Sequence, residues 1–320
     1  MENIGKILRN NLRQYAMLIA LVVIIIFFQI STGGILLYPM NVTNLFLQNS
    51  YVLILAVGMT ICILTGGNID LSVGSIVAFI GAFTGTLIIN MKMPMLPAIL
   101  ITLGVGLLIG IWQGFWIAYV RIPSFIVTLA GMLVFRGLTI TILQGITLAP
   151  YPEEYQKISG GFIPDFLNFF GADFNVTSIV VGIILSLIYV LGAFKNRKER
   201  ARYGFENTPF YLFIIQLILV VAVIMLLSYA FAEYKGIPII FVVIAILAGA
   251  YTILTQRTVF GRYIYAMGGN ERAAQLSGID TNKVLFFAYV NMAVLATVAG
   301  IAFSSRLNSA SPGAGQNFEL

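Results

Sequence analysis

The chain has 320 residues, of which 59% are hydrophobic and only 9% charged, and its formal net charge is +6. Apolar stretches of 18 or more residues recur along it, and each is long enough to cross a hydrocarbon core of about 30 Å. The composition excludes an ordinary soluble domain and predicts an all-α, polytopic helical membrane protein. There is no histidine and one cysteine, Cys62, which excludes a disulfide within the chain and argues against a structural zinc site.

Nine candidate spans follow a cytoplasmic N-terminus of residues 1–13. They cover residues 14–31, 45–65, 71–90, 96–119, 124–144, 176–194, 209–232, 238–256 and 284–304. With the N-terminus inside, thirteen lysines and arginines fall on the inner side and four on the outer side, as the positive-inside rule requires. The segment 145–175 is then the longest extracytoplasmic loop, and 257–283 is cytoplasmic. The basic run 195–202, KNRKERAR, is interpreted as an orientation anchor rather than a nucleic-acid site.

The stretch LTGGNIDLSVGS, residues 64–75, separates the second and third spans. The second apolar run needs residues 45–50 to reach full length, so the glycine pair is expected below the membrane surface, where irregular backbone requires protein or a water-filled cavity around it. Asp70 is expected to cap the helix that follows, and Ser72 can share that role. The compatible functional interpretation is a broken-helix element near a translocation path, formed by Gly66, Gly67, Asn68, Asp70 and Ser72.

Small residues recur at every fourth position in three spans and predict close packing of helix backbones. The stripes are Gly74, Ala78 and Ala82; Gly106, Gly110 and Gly114; and Ala296, Gly300 and Ser304.

Arg136 lies in the middle of the fifth span, too far from either end to reach water easily. An arginine at that depth normally faces the bundle interior and has a partner. Asp70 is the only acid in or beside a span, so an Asp70–Arg136 ion pair is one hypothesis. Capping of a helix end by Arg136 is the alternative.

The cytoplasmic segment 257–283 predicts a short helix. Asn270 is a good N-cap, Glu271 suits the first turn, Ala273 and Ala274 favour helix, and Gly278 is a natural stop. A helix of about two turns is unstable alone and needs a surface to dock on. It is either a connector lying against its own bundle or a docking helix for a soluble partner.

Four segments occur in order along the chain: TGGNIDLSVGSIVAF, RIPSFIVTLAGMLVFRGLTI, FGRYIYAMGGNERAAQLSGIDTNKV and SSRLNSASPGAGQNFEL. Together they resemble the permease subunits of ribose-, xylose- and galactose-type ABC importers. The resemblance implies that an ATPase-coupling segment contains Gly268, Gly269, Asn270, Glu271, Ala273, Ala274 and Gly278. It also implies that the membrane domain, near the path, contains Gly66, Gly67, Asp70, Ser72, Gly74, Arg136 and Gly137.

The function implied is that of a permease moving a monosaccharide across the bacterial cytoplasmic (inner) membrane. The chain itself is expected to be no enzyme and to hold no cofactor or metal. ATP and Mg²⁺ are expected on a separate cytoplasmic ATP-binding subunit, because no GxxxxGK[ST] motif occurs. The other expected partners are a second permease copy in a homodimer and a periplasmic or lipid-anchored sugar-binding protein; nucleic acid is not one.

Residues 14–320 are expected to form a single permease domain, and the family pattern is expected to continue beyond residue 320 into further membrane segments. Two alternative functions are a branched-chain amino acid or nucleoside ABC permease, and an ion-coupled secondary transporter. The second would need intramembrane acids or repeated discontinuous segments.

Overall fold

The computed structural model of the protein describes residues 4–168, 171, 173–205 and 207–318. Twelve α-helices lie in these ranges. They are α1 Ile4–Ser31, α2 Pro39–Leu64, α3 Val73–Gly85, α4 Met95–Ala118, α5 Ser124–Leu143, α6 Glu153–Gly160, α7 Val176–Arg202, α8 Phe210–Tyr234, α9 Ile239–Arg257, α10 Val259–Gly269, α11 Glu271–Leu276 and α12 Thr281–Leu307. A 3₁₀ turn, Ile35–Leu37, precedes α2, and one turn of π-helix, Thr86–Asn90, extends α3.

Eight helices in the described ranges are long and apolar enough to span a membrane, namely α2 to α5, α7 to α9 and α12. They confirm eight predicted spans, and six of them have both ends within three residues of the prediction when α3 is taken together with its π-helical turn, as Val73–Asn90. α2 begins earlier, at Pro39, and α7 continues through the basic run to Arg202. The remaining prediction, 14–31, lies in α1, whose apolar part Ile19–Ser31 falls short of 18 residues, so this span stays a prediction.

The chain divides into two compact units, and the first consists of Met1–Leu45 and Pro164–Ile237. In it α7 and α8 cross closely, because a methyl group at Gly182 would lie 2.2 Å from the hydroxyl oxygen of Ser228. The side chain of Asn175 accepts a hydrogen bond of 2.9 Å from the Ser178 N–H and so caps α7. A single domain over residues 14–320 stays a prediction.

The second unit, Phe46–Ile163 and Pro238–Leu320, is built around α12. The glycine stripe of α4 lets its backbone approach α12: a methyl group at Gly106 would lie 1.8 Å from the Thr297 hydroxyl, and one at Gly110 would lie 2.7 Å from the Val290 backbone. On α3, Ile80 lies against Gly300 in the same way. The small-residue stripes on α4 and α12 therefore make the predicted close contacts.

The segment that follows α5 folds back onto the bundle instead of forming only a solvated loop. Tyr151 and Tyr155 are buried. The Tyr155 hydroxyl lies 2.7 Å from Oγ of Ser304, and Ser305 donates a 2.7 Å hydrogen bond to the Tyr155 carbonyl. The sequence analysis assigned residues 145–175 to a loop and did not predict α6, which has only eight residues.

Candidate functional site

The chain between α2 and α3, residues 65–72, is irregular and is called the break below. Gly66 and Gly67 have φ angles of +113° and +81°, a backbone conformation that costs a residue with a Cβ about 1–2 kcal/mol. No atom lies within 4 Å of a methyl group placed on either one. The glycine pair is therefore needed for its backbone conformation and not for packing. The Asn68 amide folds back and donates to the Thr65 carbonyl at 3.2 Å.

Asp70 organises the end of the break. Its side chain is fully buried, and Oδ1 accepts hydrogen bonds from the N–H (2.8 Å) and the hydroxyl (2.5 Å) of Ser72. Ser72 is the N-cap residue of α3, but its side chain makes no capping bond. The expectation that Ser72 shares the capping role is therefore wrong, because its hydroxyl is used on Asp70. Asp70 satisfies a backbone donor one residue before the helix, as an Asx turn does.

A glutamine from α4 extends this buried polar group. Gln113 is fully buried and donates from Nε2 to the Ser72 hydroxyl at 2.8 Å. Gly131 of α5 makes room for it, since a methyl group there would lie 2.5 Å from Nε2. Oδ2 of Asp70 and Oε1 of Gln113 are buried without a hydrogen-bond partner among the described residues. One buried acceptor in the break and one on α4 therefore belong to the Asp70–Ser72–Gln113 chain of contacts.

Residues 309–318, called the C-terminal segment below, return to the start of α3. Gly315 is buried, has a φ of +67°, and lies so close to α3 that a methyl group on it would be 1.9 Å from the Gly74 carbonyl oxygen. Arg136 of α5 donates a long hydrogen bond, 3.5 Å, to the Ala314 carbonyl. Gly137 faces open space and joins no cluster.

The hypothesis of an Asp70–Arg136 ion pair is wrong. Within the described residues, the carboxylate of Asp70 binds Ser72, and the guanidinium of Arg136 binds a backbone carbonyl of the C-terminal segment. The alternative, capping of a helix end by Arg136, is not what the structure shows either, because Ala314 lies in a turn outside any helix. An arginine at this depth can bind carbonyls without a carboxylate, because an irregular segment leaves them without partners.

The segment 257–283, which is predicted to be cytoplasmic, forms the predicted short helix, α11. Asn270 accepts a hydrogen bond of 3.0 Å from the Ala273 N–H, and Gly278 follows with a φ of +84°. Ala274 is buried, whereas Leu276 is 88% exposed. α10 precedes α11, and there a methyl group at Gly268 would lie 2.1 Å from the Leu64 carbonyl at the end of α2. The cytoplasmic segment thus touches the chain where the break begins.

Arg121, between α4 and α5, ties α11 to the bundle. Its guanidinium lies 2.6 Å from the Glu271 carboxylate and donates to the Thr281 hydroxyl at 3.2 Å and to the Asn282 side chain. At the same membrane face, Asp280 caps α12 by accepting the Lys283 N–H at 3.1 Å, and this bond lowers the pKa of its carboxyl group below the ordinary value. The Thr281 hydroxyl of α12 also accepts a hydrogen bond of 2.9 Å from the Gln275 side chain, so α11 is held by side chains from two neighbouring elements.

Residues 41–320 match the family model described as the permease component of a branched-chain amino acid transport system. The chain belongs to this permease family. The xylose transport system permease protein of Haemophilus influenzae is 37% identical over 310 residues, covering 97% of this chain and 80% of that protein. The xylose permease of Escherichia coli is 34% identical, with 97% and 76% covered, and the ribose import permease of H. influenzae is 32% identical, with 88% and 65% covered. No solved structure gives a significant match.

Family membership and eight span-forming helices make this permease a multi-pass protein of the bacterial inner membrane. Three of its residues carry contacts that sequence reasoning missed. Gln113 and Gly315 meet their partners across long sequence separations. Arg121 entered the sequence analysis only as one of the positive charges that set the orientation in the membrane. The one local signal was Gln113 itself, an amide within an apolar span between two glycines of a packing stripe.

For the permease we expect Asp70→Ala to be more harmful than Asp70→Asn. Alanine leaves the buried Ser72 N–H without its acceptor, at a cost of about 1–3 kcal/mol, whereas asparagine retains an oxygen there and costs less than about 1 kcal/mol. The melting temperature in detergent should be lower for Asp70→Ala than for Asp70→Asn. The transport rate should fall in the same order. Equal loss of transport in both, with assembly intact, would instead assign a role to the negative charge.

Proposed function

We propose that this permease is the membrane subunit of an ATP-driven importer that carries a monosaccharide, and specifically a pentose, into the cytoplasm. The observation that carries the proposal is the 37% identity to a xylose permease across 97% of the chain, and a ribose permease is also similar. The family description names branched-chain amino acids, so an amino acid is the second candidate substrate.

The chemistry of the break suits a neutral polar solute. It offers hydroxyl, amide and backbone carbonyl groups, and Asp70 supplies the one carboxylate, which is engaged by Ser72. An ion-coupled carrier would need more intramembrane acids than this. Asp70, Ser72 and Gln113 are buried in the conformation described here. We therefore propose that solute meets this region in a second conformation, whose population ATP binding and a loaded receptor increase.

We propose that the ATP-binding subunit docks on α11. Leu276 presents an apolar side chain that is 88% exposed, and Arg272 and Ala273 are exposed beside it. A displacement of α11 reaches the bundle by two routes. One is the Arg121–Glu271 contact to the chain between α4 and α5, and the other is the close approach of Gly268 to the end of α2.

The remaining partners follow from this scheme. A second copy of the permease completes the path at a homodimer interface, and a periplasmic or lipid-anchored binding protein delivers the sugar. ATP and Mg²⁺ belong to the ATP-binding subunit. In this scheme the solute binds only weakly to the permease and the receptor sets the specificity. The permease supplies two alternating states of the path and catalyses no reaction.

Co-purification tests the scheme. The permease is expressed with the ATP-binding subunit and receptor of its operon, and we expect a stable complex with ATPase activity. Replacement of residues 270–278 by a flexible linker of equal length should abolish the complex while the permease remains folded. A complex that survives this replacement would contradict docking on α11.

Uptake by proteoliposomes holding the whole complex then tests the substrate. We expect ATP-dependent uptake of labelled xylose or ribose, and none of labelled leucine. Leucine uptake without pentose uptake would assign the amino acid function instead. Because the receptor sets the specificity, the measurement is repeated without receptor, and uptake should then fall to background.

A further inference from the structure

A cavity of about 440 Å³ lies within the first compact unit, between the cytoplasmic ends of α7 and α8. Its polar lining is rich in nitrogen donors: Asn196, Arg197, Arg200, Asn207 and Gln216. It belongs to neither the break nor α11, and the transport scheme gives it no role.

The polarity of the cavity changes along the helix axis. Ile188 and Leu217 line it towards the membrane interior, and Arg200 and Asn207 line it towards the cytoplasm. Ile188 and Arg200 are 12 residues apart on one helix, which is about 18 Å at 1.5 Å per residue. Gly192 lies between them, and a methyl group there would meet no atom within 4 Å. The cavity is therefore open, apolar at its deep end and cationic at its outer end.

Arg197 is fixed at the boundary between these two ends. It donates a hydrogen bond of 2.8 Å to the Thr208 carbonyl, and its guanidinium lies 4.9 Å from the ring centroid of Phe213 and 5.5 Å from that of Phe210. Neither kind of contact neutralises the charge, and among the described residues no carboxylate forms an ion pair with Arg197. A guanidinium has five N–H donors, so donors remain for an anion.

The surrounding chain adds to the positive potential. Residues 195–208 contain five basic side chains and two acidic ones, a net charge of +3. A basic pocket between membrane helices on the cytoplasmic side is suited to a phosphate-bearing lipid headgroup, and guanidinium groups match phosphate oxygens in geometry.

We propose that this cavity binds an anionic phospholipid of the inner leaflet. The phosphate lies at Arg197, and the first part of an acyl chain follows Ile188, Gly192 and Leu217 towards the hydrocarbon core. The amides of Asn196 and Asn207 are placed at the headgroup. A simple orientation signal would need only positive charge, whereas this site also needs the open space beside Gly192.

Native mass spectrometry of the purified permease tests the proposal, with phosphatidylglycerol, phosphatidylcholine and inorganic phosphate as separate probes. We expect one phosphatidylglycerol to bind with at least tenfold higher affinity than phosphatidylcholine, and phosphate alone to bind too weakly to compete. Phosphate that displaces the lipid at equal concentration would show an anion site that does not recognise lipid, and equal binding of the two lipids would overturn the proposal.

Two variants distinguish a specific lipid-binding site from non-specific electrostatic attraction. Arg197→Gln removes a lining charge, and Gly192→Leu fills the cavity without changing any charge. Each should weaken phosphatidylglycerol binding at least tenfold. The control Lys198→Gln makes the same charge change as Arg197→Gln at a residue that does not line the cavity, and should weaken binding less than twofold. Equal losses in Arg197→Gln and Lys198→Gln, or no loss in Gly192→Leu, would overturn the site. So would unchanged lipid binding with weakened capture of the ATP-binding subunit, which would indicate a protein contact.

Discussion

Gly315→Ala is expected to destabilise the permease by about 2–5 kcal/mol. A Cβ at this position would lie 1.9 Å from the Gly74 carbonyl oxygen, and the residue has a φ of +67°. The left-handed backbone costs a residue with a Cβ about 1–2 kcal/mol, and overpacking of a tight contact adds about 1–3 kcal/mol. The C-terminal segment should move away from α3, taking the Ala314 carbonyl away from Arg136. We therefore expect a lower melting temperature in detergent and loss of transport.

Gly313→Ala is the matched control for this change. Gly313 lies two residues earlier in the same segment, it is exposed, and an added Cβ would meet no atom within 4 Å. Its φ is outside the left-handed region. Its melting temperature should stay within the error of the wild type. If the two alanine variants have the same melting temperature, the contact of Gly315 with α3 contributes nothing to stability.

Gly268→Ala should produce the second large effect, and on a different function. Its Cβ would lie 2.1 Å from the Leu64 carbonyl oxygen, which belongs to backbone and cannot rotate away. Relief of this overlap has to separate α10 from the end of α2, and we expect α11 to move with α10. We expect a stability loss of about 1–3 kcal/mol and at least a tenfold loss in capture of the ATP-binding subunit.

The neighbouring Gly269→Ala controls the stability measurement, since its Cβ would meet no atom within 4 Å. Unfolding of the permease alone should distinguish the two variants, and capture measured by co-purification should then follow the displacement of α11. A Gly268→Ala protein that unfolds like wild type and still captures the subunit would show that the end of α2 does not position α11.

Span positions were predictable because a membrane imposes a minimum length and an apolar composition on each helix. The ends of α4 and α5 are accordingly within one residue of the prediction. The predicted start of α2, residue 45, is six residues too late, because Asn41 and Gln48 lower the mean hydropathy of its first turns. Pro39 is nevertheless a good first residue for a helix. α10 was not predicted, because its amphipathic pattern extends over only 11 residues.

The local part of the site was predictable, and the long-range part was not. A carboxylate before an apolar run predicts a cap, and Asp70 binds the Ser72 N–H one residue before α3, although the N-cap residue itself is Ser72. Asn270 and Gly278 likewise mark the beginning and the end of α11, as their residue types predict. The partners of Gln113, Arg136 and Gly315 depend on which helices become neighbours. Propensity and periodicity act over a few residues and carry no information about that.

The burial of α3 has a consequence for how the protein is made. A π-helical turn extends α3 to Asn90, and 12 of its 13 α-helical residues are buried. Much of the surface that covers α3 belongs to α12, which is synthesised far later. Until then the exposed backbone polar groups of the break would face lipid or water without their final partners. We infer that α3 reaches its final depth late in biogenesis, when α12 leaves the insertion machinery.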